Sequence, residues 1–127
     1  HFLKPGGFFY FSDFHPVLWM LDEQFSALKY PYHGGAVIEI EQVGTYADQL
    51  SSIQYKEYSW NHSLSEVVNS LLGQGLRLDF LNEYSYSPYN CFDKMVCGSD
   101  GNYRIQGLED ILPMVYSLKA TLPEVNI

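Results

Sequence analysis

Several stretches of the chain have the apolar and polar patterns expected of β-strands. Residues 8–11 are four consecutive aromatic residues, which is typical of a strand covered on both faces. Residues 36–43 and 53–60 read as two strands of a hairpin with a long connection. Alternation returns in residues 76–84 and 114–121, which predict two more strands.

The clearest helical signal lies between these strands. Residues 63–66 read Ser-Leu-Ser-Glu, a capping box, and the apolar residues that follow have helical spacing until Gly73 and Gly75 end the pattern. A weaker spacing within residues 17–28 predicts a short helix. Residues 84–112 are rich in aromatic residues and longer than an ordinary connection, which favours a functional loop.

Composition limits the classes of function. The apolar fraction of 46% and the charged fraction of 17% are those of a globular chain. The net charge of −8, without a cluster of Lys or Arg, disfavours nucleic-acid binding. The chain has no apolar stretch of about eighteen residues, and its first residues do not form a leader, so we expect a cytoplasmic protein without membrane contact.

Cysteine and histidine spacing gives no sign of a metal. Cys91 and Cys97 do not match a zinc knuckle or a redox pair, so we expect two reduced thiols. The four histidines do not show the spacing of a ligand set either.

Several motifs, taken in order, resemble the C-terminal part of a class I S-adenosylmethionine-dependent methyltransferase. They are Leu3-Lys4-Pro5-Gly6-Gly7 with the strand to Asp13 and His15-Pro16, His62-Ser63-Leu64-Ser65-Glu66-Val67-Val68-Asn69 with Gly75-Leu76, and Tyr116-Ser117-Leu118-Lys119-Ala120. The resemblance covers most of the chain. It implies an α/β fold, the C-terminal portion of a Rossmann-like methyltransferase sheet with the fifth strand, the last crossover helix and a hairpin of the sixth and seventh strands. The last strand would run antiparallel and insert between the fifth and the sixth.

The same resemblance implies that residues 1–127 form a single partial domain, with a lid-like inserted β-hairpin in residues 16–60. S-adenosylmethionine would be the cofactor of the parent protein. Its binding in such folds needs a Gly-rich turn after the first strand and an acidic residue after the second. Neither is present, and Gly6-Gly7 precedes a strand instead of following one. We therefore expect a truncated domain that binds the cofactor poorly, does not act alone and self-associates through an exposed sheet edge.

Asp13 and His15 are the candidate catalytic residues, because they follow a core strand at the edge where open α/β sheets bind ligands. His15 has the chemistry of a general base. The alternative is that His15 orients a turn and Asp13 caps the next helix. The candidate contacts to a small-molecule methyl acceptor are Phe14, Trp19, Tyr32, His33, Tyr86, Tyr89 and Asn90. Simple packing of the hairpin and the loop is the alternative for this set.

Two functions follow. The first is the acceptor-binding part of a small-molecule methyltransferase. The second is a stand-alone domain for ligand binding or self-association, without catalysis. No motif in the sequence names the methyl acceptor.

Overall fold

The computed structural model describes residues 2–33, 35, 37–44, 48 and 50–125. In chain order the elements are β1 (Phe8–Phe14), a 3-10 helix (Pro16–Met20), β2 (Val37–Val43), β3 (Gln54–Trp60), α1 (Leu64–Gly73), β4 (Arg77–Tyr84), β5 (Met95–Cys97), β6 (Tyr103–Ile105) and β7 (Val115–Thr121). Gly34 and Ala36, where the predicted hairpin begins, lie outside the described residues, as do residues 45–47 and 49 of its connection. Within the described part the fold is mixed α/β and mostly β.

Three strands form the central sheet, in the order β1-β7-β4. β7 lies in the middle and runs antiparallel to both neighbours, so β1 and β4 are parallel to each other. Tyr116, Leu118 and Ala120 alternate along β7 and are buried on one face of the sheet. The structure confirms these three predicted strands and the position of the last strand between the other two.

β1 differs from its prediction in burial. The strand forms, but Phe8, Phe9 and Tyr10 are 58%, 41% and 56% exposed, whereas the sequence pattern predicted a strand covered on both faces. The reason is that β1 packs closely only on β7 among the described elements, so its outer edge and both of its faces are largely uncovered. An uncovered apolar edge was expected for a partial domain.

The predicted hairpin is also present. β2 and β3 pair antiparallel, with Glu41 opposite Lys56. The Lys56 ammonium lies 3.2 Å from the carboxylate of Glu39, one of the two partners expected for it. Exposed pairs of this kind contribute little to stability. They support the register of the β2–β3 hairpin but are not its main cause.

α1 begins and ends as its sequence predicts. The Ser63 hydroxyl accepts a hydrogen bond from the N–H of Glu66 at 3.2 Å. At the other end the N–H groups of Gly75 and Leu76 return to Leu72 and Leu71, which is a Schellman arrangement with Gly75 at a φ of 85°. The helix leads directly into β4 and contacts it.

The short helix predicted within residues 17–28 is wrong beyond Met20. Only a 3-10 helix forms, and the chain then turns back so that Leu28 bridges Leu21. The Asp22 carboxylate accepts hydrogen bonds from the N–H of Gln24 and from the N–H and hydroxyl of Ser26. This local Asp turn competes with helix formation.

The long segment before β7 contains structure that the sequence did not predict. β5 and β6 form a small antiparallel hairpin, and Ile105 at its end is buried with Leu18 and Met114 in the core cluster. The Arg104 guanidinium binds both carboxylate oxygens of Asp100, at 3.1 and 2.9 Å, which fixes the turn. The prediction of a long loop over residues 84–112 is therefore wrong in part, because the segment contains a β-hairpin.

Two further findings concern the cysteines and the length of the helices. Cys91 and Cys97 are free thiols, as expected. No helix in the described ranges has both the length and the apolar character needed to span a bilayer.

Candidate functional site

A cleft of about 970 Å³ opens between the central sheet and α1. On the sheet side it is lined by alternate residues of β1, with Tyr116 of β7 beside them. On the other side lie α1 and the segment that joins it to β3. The lining residues are Phe9, Phe11, Asp13, Phe14, Pro16, Trp19, Trp60, Asn61, His62, Ser65, Glu66, Val67, Asn69, Ser70, Leu71 and Tyr116.

The sheet supplies an aromatic floor because side chains alternate between its two faces. Phe9, Phe11 and Asp13 lie opposite Ala120, Leu118 and Tyr116 of β7, so all six share one face. The rings of Phe9 and Phe11 stack at 5.9 Å, and Phe11 meets the edge of Tyr116 at the same distance. Burial, and secondarily the charge of Asp13, raises the pKa of the Tyr116 phenol. The floor is therefore apolar up to the carboxylate at its end.

Asp13 lies at this end of the cleft and is exposed. One of its carboxylate oxygens, Oδ1, accepts a hydrogen bond from the N–H of Phe14 at 2.7 Å. The capping role considered for Asp13 belongs instead to its neighbour His15. Asp13 is thus placed where a ligand in the cleft would meet a negative charge.

His15 is buried and does not line the cleft. Its Nδ1 accepts the N–H of Val17 at 3.2 Å and so caps the 3-10 helix. Its Nε2 lies 3.6 Å from the Glu83 carboxylate. Burial lowers the pKa of His15, and Glu83 opposes that effect. With Nδ1 accepting a backbone N–H, the neutral ring carries its proton on Nε2, so both nitrogens are engaged away from the cleft. The predicted role as a base stays a prediction, and it would require this cap to break.

Phe14 and Trp19 join the cleft to the core. Their rings meet edge to face at 6.1 Å, and Phe92 contacts both. Trp19 also lines a second cavity of about 630 Å³. Trp60 and Asn61 likewise line both the cleft and this second cavity. These three residues therefore separate the two cavities.

The other predicted contacts lie outside both cavities. Tyr32 is close to the cleft, because its hydroxyl accepts the N–H of Leu64 at the start of α1 at 3.1 Å, and its ring contacts exposed His33. Tyr86 packs between Tyr84 and the guanidinium of Arg104. The side chains of Tyr89 and Asn90 are exposed.

Several lining residues were missed from the sequence. Trp60, Asn61 and His62 join β3 to α1, and His62 Nδ1 lies 2.9 Å from the Glu66 carboxylate. His62 and Glu66 belong to the start of α1 that the capping box predicts. A polar residue between a strand and a capping box was the available signal for Asn61, but its burial depends on the fold.

The described part of the chain offers neither a set of metal ligands nor the turn that binds a nucleoside cofactor. Within the described ranges, no group of three or more His, Cys, Asp or Glu residues is arranged to hold a metal. α1, the α-helix of the described chain, is preceded by Trp60-Asn61-His62-Ser63, which contains no glycine. A turn of that kind does not fit the Gly-rich strand-to-helix turn that nucleoside cofactors need.

Comparisons with family models, with curated proteins and with solved structures found no match for this chain.

Proposed function

We propose that this chain is the acceptor-binding C-terminal part of an S-adenosylmethionine-dependent small-molecule methyltransferase, and that alone it does not transfer methyl groups. The strand order is the observation that carries the proposal. A central antiparallel β7 lies between two mutually parallel strands, and α1 immediately precedes the second of them. A Rossmann-like methyltransferase sheet ends with this arrangement of its fifth, sixth and seventh strands, in the resemblance set out above.

The position of the cleft supports the same function. Open α/β sheets bind ligands beyond the carboxyl ends of their strands. Asp13 and Trp19 lie at that end of β1, and the β2–β3 hairpin is inserted between β1 and α1 as a lid would be. Methyl transfer depends mainly on alignment of donor and acceptor, which aromatic walls provide.

The cofactor belongs to another part of the parent protein in this proposal. The described residues do not offer a Gly-rich turn that opens a helix, so the chain is assigned only to the acceptor. The free edge of β1 is where the family's sheet continues. Two free thiols suit a reducing cytoplasm, where we place the protein.

Calorimetric titration of S-adenosylmethionine into residues 1–127 and into the product of the complete gene tests this function. We expect binding by the complete product and none by the chain alone. Tight binding by residues 1–127 would contradict our assignment of the cofactor to another part. Absence of binding by both would leave the second function, a binding or assembly domain, as the better account.

One observation favours self-association of the chain as it stands. β1 has an unpaired edge among the described strands, and it exposes Phe8, Phe9 and Tyr10 beside that edge. An edge of this kind is a template for pairing with a second copy, because its backbone groups and apolar side chains are both uncovered. We expect sedimentation velocity to show dimers or larger species that grow with protein concentration.

Tyr10→Glu should shift that equilibrium towards the monomer. The new carboxylate lies opposite Lys119 in the register, so the fold tolerates it, while a charge on the edge opposes pairing with another copy. Tyr55→Glu on β3 is the matched control, because Tyr55 is 43% exposed, lies opposite the neutral Gln42 and is outside the central sheet. Equal effects of the two variants would show that association does not use β1.

A further inference from the structure

Asn61 has an unusual environment for an amide. The residue follows β3 directly and is 4% exposed. Its Nδ2 donates to the carbonyl oxygen of Pro16 at 3.1 Å. That carbonyl can only accept a hydrogen bond, so the NH₂ group must face it and the amide oxygen must point the other way.

The Oδ1 atom of Asn61 is buried without a hydrogen-bond partner, the one such side-chain atom in the described part of the chain. Buried polar atoms nearly always have partners, since leaving one unpaired costs free energy. Pairing of the NH₂ group accounts for half of the amide and leaves the acceptor unexplained. A hydrogen-bond donor on a bound ligand would give this oxygen the partner that the described residues do not supply.

The surroundings of Asn61 indicate what kind of donor would reach it. Asn61 forms part of the wall of the cleft and also of the second cavity, between Trp19 and Trp60. Indole rings bind flat apolar groups and attract cations to their faces. The site therefore combines an acceptor with two large aromatic side chains.

Charge narrows the class further. Asp13 and Glu66 line the cleft, and its described lining contains neither Lys nor Arg. The chain as a whole carries a net charge of −8. An anionic ligand would meet unfavourable charges here, whereas a protonated amine would meet carboxylates and a buried amide oxygen that has no partner among the described residues.

We propose that this cleft binds an arylalkyl amine, in which a saturated carbon joins a protonated amine to an aromatic ring, with Asn61 Oδ1 accepting a hydrogen bond from its N–H and Trp19 and Trp60 flanking its ring. In the proposed function the neutral form of this amine, produced by loss of a proton to solvent, would be the methyl acceptor. The inference rests on that function only for the chemistry that follows binding. Recognition of the amine depends on the cleft alone.

The test is a titration of benzylamine into residues 1–127 without any methyl donor. Trp19 and Trp60 are the two tryptophans of the chain, so their fluorescence reports on the site. We expect saturable quenching by benzylamine and much weaker binding of benzoate, which has a similar ring but carries a carboxylate. Equal binding of both compounds, or no saturation by benzylamine at millimolar concentration, would overturn the proposal.

Asn61→Leu removes the acceptor and should weaken benzylamine binding by about tenfold or more, as expected for a lost hydrogen bond to a charged group. Asn82→Leu is the matched control, because Asn82 lies opposite Ser117, on the other face of the sheet. Should Asn61→Leu fail to fold by circular dichroism, Asp13→Asn takes its place. Asp13 is exposed, and asparagine keeps an oxygen that can accept from the N–H of Phe14, so the fold should be retained. The variant removes a carboxylate from the cleft and should weaken benzylamine binding by about two- to fivefold.

Unchanged benzylamine affinity in Asn61→Leu, or in Asp13→Asn where that variant takes its place, would overturn the proposal. These outcomes are separate from those of the cofactor titration. If benzylamine binds through Asn61 but the protein never binds S-adenosylmethionine, this inference holds and the proposed methyltransferase function is wrong.

Discussion

Leu118→Ala is expected to lower the free energy of unfolding by about 2–5 kcal/mol, the range for truncation of a fully buried leucine. Leu118 has no exposed surface and lies at the centre of β7, with β1 and β4 on either side. The substitution removes apolar contacts from all three strands at once, and the neighbouring strands can close only part of the space that is left. Urea unfolding followed by circular dichroism measures the loss.

Leu72→Ala is the matched control for this change. Leu72 is 46% exposed on α1, and alanine is the better helix former, so its replacement should alter stability by only a few tenths of a kcal/mol. If the two variants lost the same stability, the three-stranded sheet would not be the stabilising unit of this chain.

The second large effect is expected at His15, where the variants separate capping from titration. His15→Ala should destabilise the chain by about 0.5–2 kcal/mol, because the N–H of Val17 loses its acceptor. His15→Asn should retain most of the stability, since asparagine is a good N-terminal cap. The measurement is thermal unfolding at neutral pH.

The same residue predicts a pH dependence. Burial lowers the pKa of His15 below its ordinary value of 6.5, so the folded state favours the neutral ring. As pH falls through that value, the unfolded chain takes up a proton before the folded chain does, and stability decreases. We expect stability to fall as the pH drops below about 6.5, with a smaller slope in His15→Asn.

His33→Asn provides the comparison, because it makes the same substitution on an exposed side chain. The slope should change more at position 15 than at position 33. A chain that grew more stable towards pH 5 would contradict the prediction, and would mean that the ion pair with Glu83 outweighs the burial of the ring.

Local elements could be predicted because their causes are local. The start of α1 depends on Ser63 and its end on Gly75, and both lie within a few residues of the groups they bind. The alternation in β2 and β7 reports directly which face is covered. The short helix after Pro16 was overestimated because Asp22 offers the backbone a competing turn, and side-chain acceptors of this kind are hard to weigh from spacing alone.

The candidate site was predicted only in part. Asp13 and Phe14 end β1 and Trp19 lies in the 3-10 helix that follows, so all three are near the carboxyl end of the strand and line the cleft. His15 directly follows Phe14, yet its ring turns inward, where it caps the 3-10 helix and approaches Glu83. Adjacent residues of an extended chain point in different directions, so position along the chain does not say which of them reaches a ligand.

The five longer strands, the helix α1 and the acidic character of the chain follow from patterns of neighbouring residues, whereas the place of β7 in the sheet was an implication of the resemblance. The burial of Asn61, the pairing of His15 with Glu83 and the exposure of β1 do not follow from such patterns. Each depends on groups far apart in the chain, as when Asn61 meets Pro16 across forty-five positions. Such contacts form only when the elements pack, and the packing leaves Asn61 Oδ1 without a partner in the wall of the cleft.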